Sequence, residues 1–390
     1  MNIINRNNND LFGEIGGRIF LKILLGRLLS LFRINSHKYF CISMGGKSYG
    51  CNIKSIADCI KIVDPKATII WAFTPQLYNQ LKMKNSVKLM SWSYYRHLVS
   101  SHYILSNMRL RLQYFPIKQK GQIYLQTWHG TPMKFIENDA KNLHEVYVEV
   151  AKADSKKIDA IVSGSEFMTK LFKDSFWYNG QVFETGTPRN DIFFKDNSLL
   201  QRKIKSTLNI PQTGKIVLYA PSFRTNLSFN AYSIDVHMIK EILENKTKEQ
   251  WYIVTRMHPH LLREEFAKEI VTRFPNCINA TSYPDMQELL SVADILITDF
   301  SSSMFDFMYT GRPCFLYVSD IKDYDRGFYF NWNELPFPLS ENNEELKKNI
   351  LNFDAHTYKT QIELFKDKIG SKETGNASIQ AAQLLISLSK

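Results

Sequence analysis

The chain has 390 residues, 44% hydrophobic and 22% charged, with a formal net charge of +11 at pH 7. It is too long for one ordinary domain and too apolar to be disordered beyond roughly the first ten residues, so two domains of roughly 150–200 residues are expected. The basic excess favours an anionic partner, whether nucleotide phosphate, anionic lipid or nucleic acid. The lysines are spread rather than clustered with aromatic platforms, which argues against nucleic acid.

Five scattered cysteines (Cys41, Cys51, Cys59, Cys277 and Cys314) form no Cys-x-x-Cys pair and have no histidine at zinc-ligand spacing. They read as reduced thiols of a cytosolic protein, and neither a metal site nor a resident cofactor is expected. The N-terminus has no basic region followed by an apolar core and a cleavage site, so no secretory signal is evident.

Residues 11–34 are nearly all Leu, Ile and Phe, apart from Glu14, Arg18, Lys22, Gly26 and Ser30, which recur every four residues and form a narrow helical stripe. The uncharged runs are far short of the ~20 residues that span a bilayer. Two readings remain: a helix packed on the protein's own core, or one lying in a lipid headgroup layer with Arg18, Lys22, Arg27 and Arg33 toward anionic lipid. The breadth of the apolar face favours the membrane.

Short apolar runs then alternate with helical stretches. The first series is Tyr39–Met44, Thr68–Phe73, Gln122–Trp128, Ala160–Ser163 and Gln181–Thr185; the second is Lys215–Ala220, Trp251–Met257, Cys277–Ala280, Asp294–Thr298 and Cys314–Val318. Their lack of strict alternation predicts strands buried on both faces of parallel sheets, hence an α/β protein. The amphipathic segment and a polar stretch between Gly186 and Gly214 divide the chain into residues 1–36, 37–195 and 196–390. The expected architecture is two doubly wound, Rossmann-like domains facing a cleft, preceded by the amphipathic helix. Ligands of such sheets sit beyond the carboxyl ends of the strands.

Three clusters occupy those ends. In Gln126-Thr127-Trp128-His129-Gly130-Thr131-Pro132, Thr131 suits a helix cap and Pro132 a first helical position. That places His129, a group able to take a proton at neutral pH, at a strand-to-helix turn, where Gly130 permits close backbone approach. In Arg256-Met257-His258-Pro259-His260, Arg256 and His258 point the same way along an extended chain and suit phosphate oxygens; a metal reading lacks a nearby carboxylate or cysteine. In Asp299-Phe300-Ser301-Ser302-Ser303, the serine-rich turn opens a helix that offers N–H groups and hydroxyls to an anion, with Ser303 and Asp306 fitting a capping box. Arg224 lies beyond a further strand end. The turn Gly186-Thr187-Pro188-Arg189-Asn190-Asp191 reads as structural. There is no P-loop and no Gly-x-Gly-x-x-Gly.

Five blocks in this order and spacing resemble the CDP-glycerol glycerophosphotransferase family, the glycerol- and ribitol-phosphate transferases of teichoic-acid and capsule polymer synthesis. They are QTWHGTPMK (Gln126–Lys134), GTPRND (Gly186–Asp191), LYAPSFR (Leu218–Arg224), RMHPHL (Arg256–Leu261) and ITDFSSSMFDFMYTGRP (Ile297–Pro313). GGKSYGCNIKSI (Gly45–Ile56) resembles the family's N-terminal segment more loosely. The resemblance implies a GT-B arrangement, with an acceptor-side first domain and a CDP-donor-binding second domain. It implies transfer of polyol phosphate from CDP-glycerol or CDP-ribitol to a lipid-linked or polymer acceptor, with release of CMP, at the cytoplasmic face of the membrane. His129 then resembles the base on the acceptor hydroxyl, and His258 a histidine that binds or protonates the diphosphate. Gly130, Ser301, Ser302 and Ser303 resemble diphosphate-holding residues, Arg224 and Arg256 would offset charge, and Asp299 falls on the nucleotide side. The rivals are a nucleotide-sugar glycosyltransferase of the same architecture, which would release a nucleoside diphosphate, and a non-catalytic basic binding protein.

Overall fold

The computed structural model describes residues 31–110, 118–222, 232–257, 273–321 and 327–389. The helix read over residues 11–34 lies outside the described residues up to position 30.

The first sheet contains β1 (Asn35–Ile42), β2 (Thr68–Phe73), β3 (Ser86–Lys88), β4 (Ser101–Ser106), β5 (Ile123–Gln126), β6 (Ala160–Val162) and β7 (Gln181–Phe183), in the spatial order β3-β2-β1-β4-β5-β6-β7. The second contains β8 (Lys215–Tyr219), β9 (Trp251–Thr255), β10 (Ile278–Asn279), β11 (Ile295–Thr298), β12 (Cys314–Tyr317) and β13 (Leu339–Ser340), in the order β10-β9-β8-β11-β12-β13. All pairings within both sheets are parallel. Each sheet therefore reverses its winding once, between β1 and β4 and between β8 and β11. A crevice opens at that point beyond the strand ends.

The continuous apolar runs are explained by burial on both faces. In the first sheet, Phe40, Ile42, Ile70, Ala72, Ile104 and Ile161 fill one side, while Tyr39, Cys41, Trp71, Phe73, Leu105 and Val162 fill the other. In the second, Ile216, Leu218, Val254 and Leu296 face away from Val217, Tyr219, Ile253 and Ile297. Each large aliphatic side chain removed from water in this way contributes about 1.5–3 kcal/mol.

One connection departs from simple chain order. The helix Ala377–Ser387 returns to the first sheet, where Ala381, Ala382 and Leu385 join the core beside Ile53, Ile56 and Ile60 of the helix Cys51–Val63. Asp191 receives the start of this helix, its two carboxylate oxygens accepting the N–H groups of Ala377 (2.9 Å) and Ser378 (2.8 Å). A carboxylate on unsatisfied N–H groups at a helix start is favourable by charge as well as hydrogen bonding.

Two local expectations are corrected. No helix begins at Pro132: Met133–Phe135 is extended and runs antiparallel to Gly327–Tyr329, with Phe135 N–H donating to Gly327 O (2.8 Å) and Tyr329 N–H to Met133 O (2.9 Å). Pairing with the second half of the chain satisfies the backbone groups that a helix would have used. The capping box at Ser303 does not form either. Ser302 occupies the N-cap of the short helix Ser303–Phe307 without a side-chain cap bond, because Asp306 is bound to Arg189 and Gln287 instead.

Candidate active site

At the first switch point the strand ends are tied together by side-chain amides. Asn107, just beyond β4, accepts Met44 N–H at its side-chain oxygen (2.7 Å) and donates from its amide to Ser43 Oγ (3.4 Å). At the end of β5, Gln126 Oε1 accepts the N–H groups of Thr127 (3.0 Å) and Trp128 (2.9 Å), and its amide donates to Met108 O (3.0 Å). This bracing holds Trp128 at φ 50°, an uncommon left-handed conformation for a bulky residue, with its ring against Phe176. Asn52 completes the frame, donating to Trp128 O (3.0 Å) and accepting Arg189 N–H (3.0 Å).

His129 emerges from that frame with Nδ1 2.8 Å from Asn107 O. A carbonyl oxygen only accepts, so Nδ1 carries the hydrogen and Nε2 keeps its lone pair. Burial, with the Arg189 guanidinium adding to it, pushes the imidazole down to about 4, against the opposing pull of the Asn107 carbonyl. At neutral pH the ring is uncharged and can accept a proton at Nε2.

The next residue joins the two halves. Gly130 has φ 122°, and a Cβ there would lie 2.2 Å from Arg189 Nη2 and 3.1 Å from Ser302 Oγ. Only a glycine lets this backbone pass between the guanidinium and the serine turn. Arg189 itself is buried, with Nη2 2.5 Å from Asp306 Oδ2 and Nη1 3.3 Å from Cys51 Sγ. Burial pushes the Asp306 carboxyl up, opposed by Arg189 and the Gln287 amide. The two Gly-Thr-Pro turns meet here: Gly130 and Thr131 line one small cavity together with Gly186, Thr187 and Pro188.

At the second switch point, Ala220 N–H donates to Ile297 O (2.9 Å) and Thr298 Oγ1 to Ala220 O (2.7 Å). Both oxygens of buried Asp299 accept Ser222 N–H (2.9 and 3.0 Å), clasping the loops beyond β8 and β11 together. The serine turn follows, with Ser301 and Ser302 half-buried and Ser303 buried. Ser303 Oγ donates to Ser301 Oγ (3.0 Å). Arg256, beyond β9, donates from Nη1 to Tyr283 O (2.6 Å), and burial lowers its pKa. Lys134 reaches this crevice from the first half of the chain, its ammonium 3.4 Å from Ser222 Oγ and 5.2 Å from the centre of the Phe300 ring.

Of the residues singled out in the sequence, the fold thus brings Gly130 against Ser302, with His129 as its immediate neighbour and Ser301 and Ser303 in the same turn; Asp299 lies at the second switch point. Arg256 ends the neighbouring strand, while His258 and Arg224 lie outside the described residues. Sequence reasoning missed Arg189 and Lys134 as site components. The signal for Arg189 was the repeated Gly-Thr-Pro turn, which marks a second close approach of backbone at the same place. Among the described residues, no group of three His, Cys, Asp or Glu side chains is placed to hold a metal ion. Likewise, no helix among them is long and apolar enough to cross a membrane.

Two parallel sheets with paired switch-point crevices, one carrying an imidazole and the other hydroxyls and cations, define an α/β protein of the doubly wound kind, whose ligands sit at strand ends. The sequence profile of the CDP-glycerol:poly(glycerophosphate) glycerophosphotransferase family matches residues 25–387, and the chain belongs to that family. It is 31% identical to the teichoic acid poly(glycerol phosphate) polymerase of Staphylococcus epidermidis over 88% of this chain and 49% of that protein. It is 30% identical to the polymerase of the same description from Bacillus spizizenii, over 92% and 94% of the two chains. A structure of a variant of the wall teichoic acid polymerase TagF, soaked with CDPG, superposes with a TM-score of 0.80 at 28% identity, covering 99% of this chain and 98% of that one. The chain spans about half the length of the S. epidermidis and Bacillus subtilis polymerases, 49% and 47% respectively.

Proposed function

We propose that the protein transfers glycerol phosphate or ribitol phosphate from a CDP-linked donor to a hydroxyl of a lipid-linked or polymer acceptor in teichoic-acid or capsule synthesis. In this reading the two sheets form a GT-B pair, with residues 37–195 on the acceptor side and 196–390 on the donor side. The acceptor oxygen attacks the phosphorus that bears the polyol, and its proton passes to His129 Nε2. The bond from that phosphorus to the bridging oxygen breaks, and CMP leaves with this oxygen. Such chemistry depends on positioning and charge stabilisation more than on a protein nucleophile. Ser301, Ser302 and Ser303 hold the diphosphate, with Arg224, Arg256 and His258 offsetting its charge and Asp299 ordering the nucleotide side. CDP-polyol is a substrate, and no resident cofactor or metal is assigned.

The observation that carries the reading is the placement of His129. Its Nδ1 is committed to Asn107 O, and Gly130 sets the same turn against Ser302 Oγ. A dianionic donor at the serine turn raises the affinity of the imidazole for a proton, so the base strengthens when its substrate is bound. The protein works at the cytoplasmic face of the membrane, held peripherally by the basic, apolar segment 11–34. Incubation with CDP-glycerol and CDP-ribitol separately, each with membrane lipid extract, tests the reading. CMP release that requires both donor and lipid is expected. Release of a nucleoside diphosphate from a nucleotide sugar, with none from either CDP-polyol, would replace it.

A further inference from the structure

We propose that Lys134 is a donor-phosphate-binding residue, carried from the first half of the chain into the crevice of the second sheet; this rests on the CDP-donor reading above. Its backbone is fixed by the antiparallel bridge, with Lys134 opposite Phe328 and the flanking hydrogen bonds made by Met133 and Phe135. Side chains alternate along an extended strand, so Lys134 points away from its two neighbours. Met133 is buried in the core of the second sheet. Lys134 instead extends over the Phe300 face, 5.2 Å from the ring centre, and reaches Ser222 Oγ at 3.4 Å. An aromatic face attracts an ammonium and holds it in place. Phe300 is stacked in turn on Phe328, so the same ring that cradles the ammonium packs on the partner of the bridge.

The two residues that Lys134 touches stand on the two sides of the switch point. Ser222 follows β8, Phe300 follows β11, and Asp299 joins the two loops through Ser222 N–H. Ser301, Ser302 and Ser303 come next after Phe300. Cation and hydroxyls therefore occupy one crevice, at the place where doubly wound sheets bind their ligands. The cation arrives on the same loop as His129, five positions earlier in the chain. A phosphate held by Lys134 is thereby registered against the base, which no cation rooted in the second sheet could do as directly.

The test is titration calorimetry of the full chain with CDP and, by displacement, with cytidine. Replacing a charge-assisted contact to phosphate predicts that Lys134→Gln weakens CDP by about 10- to 100-fold. Cytidine binding stays within about twofold, and Lys134→Arg restores most of the CDP affinity. Lys134→Met, which keeps the stem on Phe300, gives the same pattern if the glutamine variant fails to fold. Unchanged CDP affinity in both neutral variants overturns the proposal. Equal losses for CDP and cytidine also overturn it, because the residue then only supports the fold. A wild-type chain that binds no CDP removes the donor reading itself, a different result from a wild type that binds CDP and a variant that binds it equally well.

Discussion

At the β1/β4 switch point the polar groups are committed to one another. Asn107, Gln126 and Asn52 each use both ends of their amides on the backbone or side chains around His129, whose Nδ1 is committed to Asn107 O. The β8/β11 switch point repeats the strand order with a different filling: a clasp through Asp299, a run of hydroxyls, and an ammonium supplied by the other half of the chain. In the proposed reaction, the difference lets one topology serve two tasks through its loops. A proton acceptor needs a fixed tautomer in a dry frame, whereas an anion site needs donors.

The comparison is broken most directly at His129. His129→Ala is expected to lower turnover by about 100-fold or more, the range that general-base catalysis supplies, with melting temperature and CDP affinity close to wild type. A folded variant of full activity would move the base elsewhere. A smaller effect is expected at the opposite crevice: Ser302→Ala should weaken CDP binding by about tenfold, the scale of one hydrogen bond to a charged group. Equal affinity in calorimetry would shift the anion site away from the serine turn.

Acidity sharpens the contrast. Because His129 in the unliganded protein is pushed down to about 4, its neutral form persists on acidification. The profile of kcat/KM, which reports the free enzyme, should stay flat below pH 6.5 and lose its base limb only near the lowered value. The limb in kcat should lie higher, since bound donor favours the imidazolium. A kcat/KM limb at pH 6.5 or above would show that the ring is not held in a dry frame. The smallest effect concerns Glu373, which accepts Thr187 N–H (3.0 Å to each oxygen) under the second Gly-Thr-Pro turn and is pushed by burial up to about 8. Between roughly pH 4.5 and 8 the folded protein then binds a proton that the unfolded chain has released, so stability falls as pH rises through this window. Glu373→Gln removes that dependence. Its melting temperature should gain on wild type by more at pH 8 than at pH 5; a constant difference would refute the buried-carboxyl account.

Much of this was legible in the residues, for reasons that can be named. Buried parallel strands announce themselves as continuous apolar runs, and the turns after them carried His129, Gly130 and the three serines. Strand β4 was missed because no glycine or proline separates it from the preceding helix. That helix is closed by its own hydroxyls, with Ser100 Oγ bonded to Arg96 O (2.7 Å) and Ser101 Oγ to His97 O (2.7 Å), so the strand begins on the next residue. Strands β3 and β13, of three and two residues, were missed as well. Lys134 was hidden by Pro132, which suits a helix start just as well as the extended run that forms. Arg189 was hidden because its role depends on Asp306, 117 positions away.

The helix Ala377–Ser387 has a consequence for how the protein is made. The face of the first sheet that it covers is finished only when the ribosome has synthesised nearly all of the second half. At roughly 5–20 residues per second, that leaves Ile53, Ile56 and their neighbours waiting for on the order of ten seconds after β7 has emerged. During that interval the nascent chain carries an apolar surface that its own later residues cover in the finished fold, and Asp191 waits beside it for the N–H groups of Ala377 and Ser378. The two halves are therefore not beads strung in order: the core of the earlier one includes the last helix of the later one.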